Sequence, residues 1–191
     1  MIVLASASPR RQELLHNAGI LFETRPASID ETPLPGEPAQ KYILRLAESK
    51  ARIVAKPGET VLGADTIVVI DQKILGKPTD QKEAVTMLRL LSGQVHEVMT
   101  AVCILCEKKS QTFIETTSVH FRELSEQEMQ TYASSGESFD KAGAYGIQTG
   151  ASKFVERIEG CYFNVVGLPI ARVYKLLQSV GPPADFTRKQ R

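Results

Sequence analysis

Residues 6–11, Ser-Ala-Ser-Pro-Arg-Arg, place two hydroxyls and two guanidinium groups around one proline, between the apolar run Ile2–Ala5 and the helical run Gln12–Leu15. Ser8 suits an N-cap, and Pro9 suits the first helical position because it has no N–H to leave unpaired. A helix that starts at the carboxyl end of a strand points free backbone donors outward, where open α/β sheets place ligands. With Ser6, Ser8, Arg10 and Arg11 beside those donors, phosphate is the natural guest. A capped helix carrying two solvated arginines has the same signature. Other segments must decide.

Asp65 is the second candidate. It interrupts Val61–Ile70, a nearly continuous apolar run rich in β-branched residues, as expected of a strand buried on both faces. A carboxylate there costs several kcal/mol of desolvation, roughly, unless a metal or a positive partner compensates. The structural alternative is an Asp paired to a buried Arg or capping a bulge at Gly63. Lys50 is the third candidate, in a helix expected from about Pro38 to Lys56. It falls at the spacing of the apolar stripe Ile43, Leu46, Ala47, Ile53 and Val54, which directs its ammonium inward. A lysine lying along the core edge with its head in water would also fit. Glu31, with Asp30, lies in a Pro-rich acidic loop from Pro26 to Pro38, and long charged loops often serve sites.

Glu31 and Asp65 are hard oxygen donors suited to Mg²⁺ or Mn²⁺, whereas His16, His96 and His120 show no metal-ligand spacing. Arg10, Arg11, Lys50 and Lys77 would be brought together by a polyanion. No Walker A loop, no G-x-G-x-x-G after a strand and no G-x-S-x-G elbow is present.

The elements that must position these groups follow from pattern. Ile20–Thr24 reads as a short strand. Asp71-Gln72-Lys73 turns into Ile74-Leu75, and Gly76-Lys77-Pro78-Thr79 follows as a loop. Asp80 with Glu83 resembles a capping box that opens a helix through Leu91, stopped at Ser92-Gly93, and Ser125 with Glu128 forms a second box. Two longer strands, near Val95–Cys106 and Thr112–Phe121, read as a hairpin. Asp140–Gln148 carries Lys141, two glycines and Tyr145, so its backbone can approach a ligand closely. Lys153–Ile158 and Tyr162–Val166 look like strands, Leu168-Pro169 opens a last helix to about Ser179, and 181–191 reads as a frayed tail. The expected organisation is a single α/β domain over 1–180, built of two lobes.

Composition narrows the partners. The 191 residues are 42% hydrophobic, enough for a real core, and 23 basic against 22 acidic residues give a net charge of +1 with no block of like charge. That excludes an electrostatic footprint for nucleic acid. No run is long and apolar enough to span a membrane, and no basic n-region precedes the first strand, so the expectation is a soluble, cytosolic protein. Cys103, Cys106 and Cys161 read as core thiols rather than as a redox or zinc motif.

Seven segments in one order, S-A-S-P-R-R at 6–11, E-S-K-A at 48–51, G-A-D-T at 63–66, G-K-P at 76–78, L-S-G at 91–93, D-K-A-G-A-Y-G-I-Q at 140–148 and V-V-G-L-P at 165–169, together resemble the Maf family of nucleoside triphosphate pyrophosphatases. The resemblance implies an α/β fold related to the inosine triphosphatases, with an elongated mixed sheet flanked by helices and a central cleft between two lobes. It implies hydrolysis between the α and β phosphates with divalent-metal help. Asp65 would then be the proton acceptor for water, and Glu31 would help hold the metal. Arg10, Arg11, Lys50 and Lys77 would neutralise the triphosphate, with Ser6, Ser8 and Lys141 as further substrate contacts. G-A-D-T followed by A-G-A-Y-G-I-Q is similar to the branch acting on dTTP and UTP, in which Arg10, Thr66 and Gln148 are tied to specificity. A Gln amide offers both a donor and an acceptor to the uracil or thymine edge. The family also suggests a homodimer, and its association with septum inhibition leaves a nucleotide-binding regulator of cell division as the non-enzymatic alternative. A 7-methyl-GTP or purine specificity is the enzymatic one.

Overall fold

The computed structural model describes residues 1–107 and 109–180. The expected frayed tail at 181–191 lies outside the described residues. Seven strands, β1 (Ile2–Leu4), β2 (Phe22–Thr24), β3 (Thr60–Ile70), β4 (Lys73–Leu75), β5 (Val95–Cys106), β6 (Lys109–Phe121) and β7 (Val155–Glu159), form one sheet of order β2-β1-β3-β5-β6-β7, with β4 on β3. The sheet is mixed: β1 runs parallel to β2 and β3, while β3–β4 and β6–β7 are antiparallel. Among the described residues six α-helices flank it, α1 (Pro9–Asn17), α2 (Ala39–Val54), α3 (Gln81–Leu91), α4 (Glu126–Ser134), α5 (Tyr162–Val166) and α6 (Ile170–Val180). The α/β expectation is met.

The chain forms two compact units. Of the described residues, the first holds those in 1–65, 100–115 and 167–180; the second holds Thr66–Met99 and Thr116–Val166. In the first unit, β1 passes through Ser6–Ser8 into α1, and β3 arrives beside β1 with Val3 opposite Val61 and Leu4 opposite Leu62. Helix α2 buries Tyr42, Ile43, Leu46, Ala47, Lys50 and Ala51. Ala51 rather than Ile53 continues the stripe, and Ile53, in the last turn, is 60% exposed. The second unit is built on an apolar core in which Val68, Leu88, Val119, Phe121 and Phe154 are buried together with Tyr132 and Tyr145.

Local chemistry sets several boundaries. Ser8 caps α1, its Oγ accepting from Arg11 N with Pro9 at the first position, as expected. At α3 the capping box is only half formed. Asp80 Oδ1 accepts from Glu83 N, but the Glu83 carboxylate turns outward to Thr79 N and Oγ1 instead of reaching the N-cap backbone. The Ser125–Glu128 box of α4 is complete.

Tyr162–Val166 is helix, not strand. Gly160, at φ +129°, turns the chain so that Cys161 O accepts from Asn164 N, and fully buried Asn164 then donates to Val98 O and Thr117 Oγ1. Those side-chain bonds within the second unit outweigh the β-propensity of a Tyr-Phe-Asn-Val-Val run. The strand expected over Lys153–Ile158 is β7, which begins at Val155 after the 3₁₀ segment Gly150–Phe154. Of the thiols, Cys103 is buried, but Cys106 and Cys161 are only partly so; Cys106 Sγ accepts from Thr60 Oγ1.

Candidate functional site

The first unit gathers three charged side chains. Lys50 Nζ lies 2.7 Å from Asp65 Oδ1 and 2.7 Å from Glu31 Oε1. Lys50 and Asp65 are 9% and 8% exposed, whereas half of the Glu31 side chain is open to solvent. Sequence spacing placed each of these residues singly; the structure brings them to one point. Both carboxylates sit at hydrogen-bonding distance from one ammonium, so a single cation can bridge them.

Gly63 makes this approach possible. A Cβ there would stand 2.2 Å from Ala47 O and 2.8 Å from Ala51 N, so only glycine lets α2 lie this close to β3. Two residues along the strand from Gly63, Asp65 shows the same face. Lys50, between Ala47 and Ala51 on the buried side of α2, meets it there. The sequence had offered Gly63 only as a possible bulge.

The second candidate cation has a different task. Arg11 is 9% exposed and donates through Nη1 to Ala64 O at 2.8 Å and to Ser6 Oγ at 3.2 Å, and through Nε to Gly167 O at 2.9 Å. Burial lowers its pKa from the ordinary guanidinium range, and the charges of Asp65 and Glu31 work against that fall. Arg11 therefore fastens the β1–α1 loop to the backbone immediately before Asp65. Ser6 Oγ also accepts from Ser8 N, at 3.2 Å. Both serine oxygens act here as acceptors, which leaves their hydroxyl hydrogens to donate. Arg10 is half-buried in the first turn of α1.

Glu31 is held by residues outside the candidates that the sequence pattern marks. Tyr42 Oη donates to Glu31 O at 2.8 Å, and Arg45, clamped by Glu37, donates to Thr32 O at 3.1 Å. Their signal was faint: a tyrosine and an arginine three residues apart on a helix otherwise read for its aliphatic stripe.

The remaining candidates belong to the second unit. Thr66, the first residue of that unit on β3, is half-buried, and Lys77 and Gln148 are exposed. Gly143 N donates to Gly76 O at 3.0 Å, which ties the Gly76–Pro78 loop to the 3₁₀ turn Ala142–Ala144. Gly143, at φ +68°, sits where a Cβ would be 2.9 Å from Val68 Cγ2. Lys141 Nζ bonds Glu137 O at 2.5 Å and Asp140 Oδ1 at 2.6 Å. Its stem covers Gly146, so Lys141 stiffens the loop that carries Gln148.

Among the described residues no group of three or more His, Cys, Asp or Glu side chains is placed to hold a metal. The donor set that fits a hard divalent cation is the pair Glu31 and Asp65. Their convergence on Lys50 shows that a positive charge is accommodated between them, and a Mg²⁺-type ion takes only one or two carboxylates when phosphate and water complete its shell. No helix among the described residues is long and apolar enough to cross a membrane.

Comparison with known proteins gives a consistent result. A family profile described as Maf-like protein matches residues 1–180. The chain is 56% identical over 182 residues to a Syntrophomonas wolfei subsp. wolfei protein named dTTP/UTP pyrophosphatase, covering 93% of this chain and 96% of that one. Proteins of the same name from Exiguobacterium sibiricum and Koribacter versatilis are 51% and 50% identical, covering 94% of this chain and 92% and 94% of their own lengths.

Proposed function

This chain belongs to the Maf family, and from that premise we propose that it is a hydrolase converting dTTP and UTP to the monophosphate and pyrophosphate. The observation that carries the chemistry is the Lys50 ammonium held between the Asp65 and Glu31 carboxylates in a largely dry position. Cleavage between the α and β phosphates needs an activated water, a clamp on the developing pyrophosphate charge and an ordered substrate.

Asp65 is the proton acceptor for the attacking water. Its carboxylate is oriented by the bond from Lys50 Nζ, and its place on β3 is fixed by the Arg11 bond to Ala64 O. Lys50 has a second role, since its ammonium can turn from the carboxylates toward phosphate oxygens as negative charge gathers there. Glu31 and Asp65 would hold a divalent cation. Mg²⁺ or Mn²⁺, when bound, supplies charge neutralisation and polarisation of the phosphoryl oxygens. Ser6, Ser8, Arg10 and Arg11 are assigned to the phosphates, with Arg11 also anchoring the loop. Lys77 is assigned to phosphate charge, and Thr66, Lys141 and Gln148 to substrate recognition, with Gln148 reading the pyrimidine edge.

The test is product analysis across a panel of nucleoside triphosphates with Mg²⁺ or Mn²⁺. UMP or dTMP with pyrophosphate is expected, and UDP with orthophosphate would mean attack at the γ phosphorus and would overturn the assignment.

A further inference from the structure

Glu31 lies in an irregular segment that runs from Arg25 to Leu34 without helix or strand. Contacts from α2 decide where its carboxylate stands. Tyr42 Oη donates to the Glu31 carbonyl at 2.8 Å, and Arg45 Nη2 donates to the next carbonyl, Thr32 O, at 3.1 Å. Arg45 is itself fixed by two 2.7 Å bonds to Glu37 and lies 5.6 Å over the Tyr42 ring. Inside the segment, Asp30 Oδ1 accepts from Thr32 N.

Tyr42 is 8% exposed, so its ring is packed and its hydroxyl is aimed rather than free to turn to solvent. Tyr42 and Lys50 both lie on the buried face of α2. One rigid helix thus presents the group that grips the Glu31 backbone and the group that meets the Glu31 carboxylate.

We propose that Tyr42 is a positioning residue for the reaction: its bond to the Glu31 carbonyl sets the Glu31 carboxylate against Lys50, and so sets the charge arrangement around Asp65. This rests on the reading of Glu31 given above.

Tyr42→Phe removes only the hydroxyl and keeps the ring. The loss of one partly buried hydrogen bond predicts a fall in kcat with UTP of about fivefold, with KM changed by less than about twofold. Amide hydrogen exchange of residues 30–34 should quicken. In a Glu31→Gln background the same substitution should add no further loss of kcat, because both changes act on one interaction. Unchanged exchange in Tyr42→Phe would overturn the proposal outright, since the phenol would not be holding the loop. Faster exchange with an equal kcat loss in both backgrounds would also overturn it, because Tyr42 would then act through something other than Glu31. Parental activity in Glu31→Gln would instead remove the catalytic reading of Glu31, while the exchange result would still decide whether Tyr42 holds that segment.

Discussion

Gly63→Ala tests whether the contact between α2 and β3 sets the chemistry. The added Cβ would lie 2.2 Å from Ala47 O and 2.8 Å from Ala51 N, both backbone atoms of α2. An ordinary contact needs about 1 Å more than the shorter of these, so helix and strand must part by roughly that amount. Trimming a neighbouring side chain gives no relief. Overpacking of this kind costs about 1–3 kcal/mol, or roughly 2–12 °C in Tm for a chain of this size. The larger effect should fall on turnover. Lys50 rides on the displaced stretch of helix while Asp65 stays with the strand, and a misplacement of about 1 Å is worth on the order of a hundredfold in rate. Thermal denaturation and pyrophosphate release from UTP, on the same preparation, measure both. Gly58→Ala is the control: its Cβ would meet nothing within 4 Å, but its φ of +80° is strained for alanine, so it should lose stability and keep kcat. Parental kcat in Gly63→Ala, whatever its Tm, would refute the claim that this close packing positions Lys50 for the reaction.

Asp65→Asn should retain triphosphate binding by calorimetry while turnover drops by two orders of magnitude or more, roughly the scale of losing a general base; a mutant as active as the parent would exclude Asp65 from that role. Lys50→Ala should lower kcat/KM by more than about tenfold relative to Lys56→Ala, which sits beyond the end of α2, and equal values would return Lys50 to a structural role. His96, 2% exposed in the second unit with Nε2 2.7 Å from Tyr145 Oη, has its pKa lowered by burial to about 4. Below about 6.5 the unfolded chain takes up a proton that the folded chain refuses, so stability should fall as pH drops from about 6.5 to 4, by on the order of 3 kcal/mol. Urea midpoints across that window should show the slope, and His96→Gln should flatten it.

Much of this arrangement was legible because it broke a pattern. A carboxylate inside an apolar, β-branched run and a lysine on an apolar helical stripe are each costly alone, and each cost marked a residue that the structure pairs with the other. The caps at Ser8 and Ser125 were legible for the opposite reason, since the local hydrogen bond is complete within four residues. What escaped was whatever depended on a partner distant in sequence. Gly63 looks like any glycine in a strand until α2 is laid against it, and Tyr42 looks like core until Glu31 O arrives at its hydroxyl. The Tyr162–Val166 stretch was misread because its helical turn is held by Asn164 bonds to Val98 and Thr117, which no local propensity encodes. Ile53 was misplaced because a stripe extrapolated at constant period says nothing about where the surface beneath a helix ends.

The charge balance in the first unit bears on the choice between an enzyme and a nucleotide-binding regulator. Glu31 and Asp65 contribute two negative charges, Lys50 and buried Arg11 two positive ones, so this cluster by itself presents no surplus positive charge to a triphosphate. A protein that only bound the nucleotide would be better served without Asp65, whose buried charge costs desolvation and repels the ligand. Replacing it would leave Lys50 paired with Glu31 alone and freer to turn to phosphate, while Arg11 would stay on the Ala64 and Gly167 carbonyls. Retaining it makes sense if the carboxylate takes a proton during the reaction, because the repulsion it adds to the bound state is then relieved as that proton arrives. An interaction that weakens the ground state more than the transition state raises kcat at the expense of affinity. Under the proposed mechanism, the Asp65–Lys50–Glu31 cluster serves turnover rather than retention of the nucleotide.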